Sequence, residues 1–141
     1  MPAVDPRPFT PIVQNLRAAG LRPTRQRMSL AKLLFEPGDR HVTAEQLHQE
    51  ATAGRIRVSL ATVYNTLHQF TTAGLLREVV VQPGRSYFDT NTSDHHHFFI
   101  EASGHLEDIP GHSVALAKLP EPPKGTRISR VEVIVRVTKD Q

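Results

Sequence analysis

Residues 59–74, SLATVYNTLHQFTTAG, constrain the fold of this chain more than any other stretch. Ser59 is placed to cap a helix, because its hydroxyl can accept one of the N–H groups that a first turn leaves unpaired. Leu60, Val63, Leu67 and Phe70 recur at three- and four-residue spacing, which makes one apolar stripe, and Gly74 is a natural stop. On the opposite face lie Ala61, Thr62, Asn65, His68 and Gln69, short or polar but carrying no acid, lysine or arginine, with Tyr64 at the border. Directly afterwards, LLREVVV and RSYFD are strand-like runs joined by QPG, which predicts a β-hairpin.

Three amphipathic helices are expected upstream. PIVQNLRAAG ends at Gly20, and a second helix starts from an N-cap at Thr24 with Met28, Ala31 and Leu34 at helical spacing. TAEQLHQEATAG opens with Thr43 three residues before Gln46, the spacing of a capping box, and stops at Gly54. Three helices, a fourth with a small polar face and a hairpin together predict a winged helix-turn-helix domain over residues 1–90. Residues 91–141 change character: HHHFFIEA, GHLEDI and RISRVEVIVRVTK read as strands, HSVALAKL suits a short helix, and PEPPKG is a loop. In the last strand Val131, Val133, Val135 and Val137 alternate with Glu132, Ile134 and Arg136, which predicts one buried face. The expected class is α+β, an N-terminal winged helix followed by a small α/β dimerisation and ligand-sensing domain. A sheet with so little cover needs a second copy of the chain, so a homodimer is expected.

Composition narrows the chemistry. With no cysteine, disulfides, thiol nucleophiles and any cysteine-bound structural zinc are excluded, and a metal must sit on nitrogen and oxygen. No apolar run approaches the roughly 20 residues of a membrane-spanning helix, and MPAVDPRPFTP reads as no export signal, so a cytoplasmic protein without a membrane partner is expected. Charge is uneven. Residues 1–90 hold 11 Lys/Arg against 7 Asp/Glu, and residues 91–141 hold 6 against 7. The basic half is therefore the one that suits a polyanion.

A helix that reads bases must enter a major groove about 12 Å wide with side chains that hydrogen-bond or touch thymine methyls. Thr62, Tyr64 and Asn65 suit that task, and with Ala61 they favour A·T-rich duplex DNA. Arg22, Arg25, Arg27, Arg55, Arg57, Arg77 and Arg85 flank the helix in sequence and would supply phosphate contacts. The run LRPTRQR could also reach a minor groove.

The second dense feature is DHHHFFIEASGHLED, residues 94–108, with four histidines and four carboxylates. On a strand His95 and His97 share one side, while Asp94 and His96 share the other. Asp89 at the hairpin's end and His41 before the third helix could join His95 and His97, and three imidazoles with one carboxylate suit zinc, iron(II) or manganese. Imidazoles also ligate haem iron, which makes His95, His96 and His97 candidate haem ligands beside Phe98 and Phe99. His48, His68 and His112 are expected in surface or hydrogen-bonding roles.

LRPTRQR, HVTAEQLHQEA, SLATVYNTLHQFTTAGLL, RSYFDTNTSDHHHFF and SGHLEDI, in this order, resemble the ferric uptake regulator family, and within it the iron response regulator branch. The resemblance covers nearly the whole chain. It implies a dimer acting on A·T-rich inverted repeats in promoters of iron-related genes, with Tyr64 and Asn65 against bases and Arg22 in the minor groove. Asn65 stands where an arginine is common in the family. The resemblance also implies an interdomain metal site of His41, Asp89, His95 and His97, and a second site starting from Asp94 and His96 whose later ligands have no counterpart. Ile100 and Ser103 occupy the first pair of the cysteine knot found in many relatives. In the iron response regulator branch the histidine triplet implies haem sensing.

The leading expectation is thus an iron- or haem-responsive transcriptional regulator, binding promoter DNA under iron limitation and not an enzyme. A divalent-metal-activated repressor using iron, manganese or zinc is the alternative. A metallohydrolase using the same histidine and aspartate set with a metal-bound water is the reading from a different class.

Overall fold

The computed structural model describes residues 10–140. They form two compact units that divide between Thr92 and Ser93. The first contains α1 (Thr10–Ala18), α2 (Arg25–Phe35), β1 (His41–Val42), α3 (Ala44–Ala53), α4 (Leu60–Thr72), β2 (Arg77–Gln82) and β3 (Arg85–Asp89).

The starts of α2, α3 and α4 follow from their caps. Thr24, Thr43 and Ser59 accept from the backbone N–H three residues on, and at α3 the Gln46 side chain accepts from the Thr43 N–H in return, completing the box. At the ends of α1 and α4, Gly20 and Gly74 adopt left-handed backbone, with Leu21 N–H donating to the Leu16 carbonyl and Leu75 N–H to that of Phe70. α3 stops at Gly54 as expected, but by a different backbone route. Gly54 has an ordinary φ of −84°, and Arg55, at φ 60°, takes the left-handed position instead. The same closing bond is made, from Ile56 N–H to the Ala51 carbonyl, against a local cost of about 1–2 kcal/mol for a side-chain-bearing residue there.

Between these helices Leu16, Leu30, Leu34, Leu47, Leu67 and Phe70 are buried to 1% exposure or less. Each is worth roughly 1.5–3 kcal/mol of apolar transfer. The expected hairpin forms, with β2 and β3 antiparallel and a turn at Pro83 and Gly84, whose φ of 75° only glycine adopts freely. Pairing slips between Val80 and Gln82, a bulge in the wing. An unforeseen short strand joins this sheet: β1 pairs with β3, in the order β1-β3-β2. Two residues carry no periodicity, so His-Val was invisible as a strand.

The second unit holds β4 (His95–Ile100), β5 (His105–Pro110), one 3-10 turn (Gly111–Ser113) and β6 (Ile134–Val137). β4 is central, antiparallel to β5 and parallel to β6. The helix expected in HSVALAKL does not form, and residues 115–133 contain neither helix nor strand. Eight residues closed by Pro120 are too few to hold a helix without packing, and Leu116 and Leu119, both about half exposed, have none to offer. The last strand is also shorter than expected, and Val135 on its supposed buried face is exposed. Among the described residues no helix is long and apolar enough to cross a membrane.

Candidate nucleic-acid interface and metal-ligand clusters

Val63, Leu67 and Phe70 turn α4 toward the core, and this leaves Ala61, Tyr64, Asn65, His68 and Gln69 exposed. Thr62 is half-buried, its hydroxyl accepting from Ser59 at 2.9 Å. The Tyr64 hydroxyl donates to the Glu45 carboxylate at 2.8 Å, and its ring lies near-parallel to His68, which meets Phe88 edge-on. The hydrogen bond to Glu45 pushes the Tyr64 phenol above its ordinary value, helped by partial desolvation and by the carboxylate's charge. Tyr64 is thus a neutral ring with a set orientation. Sequence reasoning missed Glu45, because an acid in the first turn of a helix already has a sufficient explanation in the helix dipole.

Of the arginines, Arg22, Arg25, Arg55 and Arg57 are exposed. Arg85, in the wing, is half-buried and donates to the Tyr87 hydroxyl at 3.1 Å. Arg27 is half-buried too, its guanidinium directed at Gln69 and the Arg22 carbonyl. Arg77 contradicts its expected place among the phosphate-contacting arginines, being only 6% exposed within β2. It follows the apolar pair Leu75-Leu76 at the point where the chain enters the sheet, and its side chain goes inward.

Two groups of metal-ligating side chains stand out. In the first unit the β1–β3 register sets His41 opposite Asp89, and His41 Nε2 lies 3.3 Å from Asp89 Oδ2. Asp89 is 1% exposed, and its other oxygen accepts from the Asn91 N–H at 2.9 Å. In the second unit His95 Nε2 and His97 Nε2 lie 3.3 and 3.4 Å from the same oxygen, Asp108 Oδ1. Ligand atoms of these three residues all fall within 4.8 Å of one another.

These separations exceed the roughly 2.7–2.9 Å of a charge-assisted N–H to carboxylate bond. They match the edge of a tetrahedron, about 3.3–3.4 Å, around an ion roughly 2.0–2.1 Å from each ligand. The proton positions agree. His95 Nδ1 stands 2.6 Å from the Ser93 carbonyl, which can only accept, so the neutral ring keeps its proton there and offers a lone pair at Nε2. Two imidazole nitrogens and a carboxylate, with no thiolate, fit zinc, iron(II) or manganese.

The model of the ferric uptake regulator family matches residues 18–134. The chain belongs to this family. Peroxide-responsive repressors PerR of Staphylococcus aureus are 33% identical over 97 residues, 69% of this chain, and the chain spans about 65% of the length of these curated relatives. The ferric uptake regulator of Vibrio cholerae has a similar fold, with a TM-score of 0.72 at 22% identity over 91% of this chain and 99% of that one. The ferric uptake regulator of Pseudomonas aeruginosa, solved with manganese, has a TM-score of 0.68 at 23% identity over 91% and 97%.

Within this ferric uptake regulator fold the haem reading of His95, His96 and His97 finds no support in the geometry. All three are buried to 9% exposure or less on the central strand, and His96 Nδ1 accepts from the Val133 N–H at 3.0 Å, so that nitrogen is already committed. The same bond weighs against a second metal site at His96, and Asp94 is exposed. Asp108 is the ligand candidate that sequence reasoning passed over. The four-residue turn after Ile100 sets His97 opposite Asp108 in the β4–β5 register, and counting back from that turn would have found it.

Proposed function

We propose that this chain is a divalent-metal-responsive transcriptional regulator, binding A·T-rich duplex DNA as a homodimer, with His41, Asp89, His95, His97 and Asp108 as its metal ligands. The observation that carries the reading is the shared 3.3–3.4 Å spacing of three imidazole–carboxylate pairs, too long for charge-assisted hydrogen bonds and right for ligands of one kind of ion. Bound at either group, an ion would supply the positive charge that lets that group's lone pairs share a centre.

DNA binding is supported by the uncharged exposed face of α4 and the exposed Arg22, Arg25 and Arg57 around it, with Arg85 in the wing. Likeness to repressors from Staphylococcus aureus supports action at promoters. A route from metal to DNA follows from the chain itself. His41 stands two residues before Thr43, the cap of α3, and Glu45 in the first turn of α3 holds Tyr64 of α4. An ion that fixes His41 against Asp89 would fix the start of α3, and with it the ring offered to DNA. Dimerisation is supported by Phe98 and Val135, directly opposed in the β4–β6 pairing and both exposed.

The test is binding to an A·T-rich inverted-repeat duplex by metal-free, manganese-loaded and haem-loaded protein. Manganese should promote binding, a chelator should reverse it, and His97→Ala should remove the dependence on metal. Binding that ignores the chelator and responds to haem instead would overturn the proposal in favour of the haem-responsive, iron response regulator reading.

A further inference from the structure

We infer that Arg27 is a positioning residue for DNA reading and not one of the arginines that neutralise phosphate; this rests on the DNA-binding reading proposed above. One guanidinium makes three contacts. Nε and Nη2 donate to Gln69 Oε1 at 3.3 and 3.1 Å, and Nη1 donates to the Arg22 carbonyl at 2.9 Å. Arginine's side chain has five N–H donors and no acceptor, so the Gln69 amide must present its oxygen here and turn its NH2 away. The edge formed by Nε and Nη2 is one of those that would grip a phosphate in bidentate fashion, and it is already taken.

The arm that carries Arg22 is held by the same network. Its carbonyl accepts a second bond from the Thr24 N–H at 2.9 Å, and Thr24 Oγ1 accepts from the Arg27 N–H at 3.3 Å. At the other end Leu21 N–H donates to the Leu16 carbonyl at 2.8 Å. Residues 21–24 are therefore tied to α1 on one side and, through Arg27, to α4 on the other. Gln69 lies one helical turn beyond Asn65 on the same exposed face. One side chain thus holds the arm suited to a minor groove in register with the helix suited to the major groove.

The experiment measures binding of manganese-loaded full-length protein to an A·T-rich inverted-repeat duplex and to a G·C-rich duplex of equal length, across a range of salt. Arg27→Lys keeps the charge and loses the planar fork, while Gln69→Ala removes the acceptor at an exposed position without changing charge. Both should cut the preference for the A·T-rich duplex about tenfold, and both should leave the slope of log affinity against log salt unchanged. Arg27→Gln should leave the slope unchanged too. A slope reduced by about 1.8 in Arg27→Gln, about 0.9 for each subunit of the dimer, with the preference intact, would make Arg27 a phosphate contact and overturn the inference. An undiminished preference in Gln69→Ala would overturn it as well, in a variant whose folding is not in question. If the wild-type protein shows no salt-dependent binding to either duplex, the DNA-binding reading itself has failed and takes the inference with it.

Discussion

In the first unit Leu30, Leu34, Leu47, Leu67 and Phe70 are fully buried and the outer face of α4 is polar, whereas the second unit buries His95, His96 and His97 and exposes Phe98, Leu116, Leu119, Ile128 and Val135. The first unit draws its stability from apolar area removed from water, a term that needs no ligand. The second has too little of that term. Besides Phe99, Leu106 and Ile109 it buries His95 and His97 beside the Asp108 carboxylate, while five of its larger apolar side chains are exposed. The contrast separates a unit whose interior is mainly apolar from one whose few buried apolar side chains share the interior with three imidazoles.

The largest expected effect comes from cutting the first core. Leu67→Ala should cost about 2–5 kcal/mol in urea unfolding followed by helical circular dichroism, while Leu116→Ala should stay within about 0.5 kcal/mol. Equal losses would erase the contrast. Next, His97→Ala should weaken manganese or zinc binding, measured by calorimetry, by on the order of 100-fold, at the upper limit of what even outer partners of a metal cost. A chelator should lower the melting temperature of the wild-type protein and leave that of His97→Ala unchanged. Phe98→Asp should weaken self-association about tenfold or more in sedimentation, with the helical signal intact; sedimentation of the wild-type protein as a monomer would remove that half of the comparison.

The smallest effect is a titration. Because the bond to Glu45 raises the Tyr64 phenol above its ordinary value of 10.0, the folded state favours the neutral ring. That preference is fully present below the ordinary phenol range and is lost as pH rises through the raised value. Tyrosinate absorbance should therefore show one phenol that moves down toward the ordinary range in Glu45→Gln. No movement would detach Tyr64 from α3.

Helix capping was legible because its signals are local: Thr24, Thr43 and Ser59 each act on a residue three positions away. Arg55 escaped because glycine beside it looked sufficient, and the decision between adjacent residues lies in packing. The pairing of His41 with Asp89 could be expected as chemistry, yet the strand that delivers it is two residues long and carries no pattern. Gln69 and Glu45, the partners of Arg27 and Tyr64, lie 42 and 19 residues away in sequence, beyond any periodicity. The absence of a helix after Ser113 reflects missing tertiary cover, which composition does not reveal.

The carbonyl of Ser93 has a consequence for how this protein can drift. Because it is a main-chain oxygen, no replacement of the Ser93 side chain deletes the group that keeps a hydrogen on the far nitrogen of His95. Evolution can change which nitrogen of His95 faces Asp108 only by bending the backbone or by changing the residues around it, so that choice is insulated from point substitution at its nearest support.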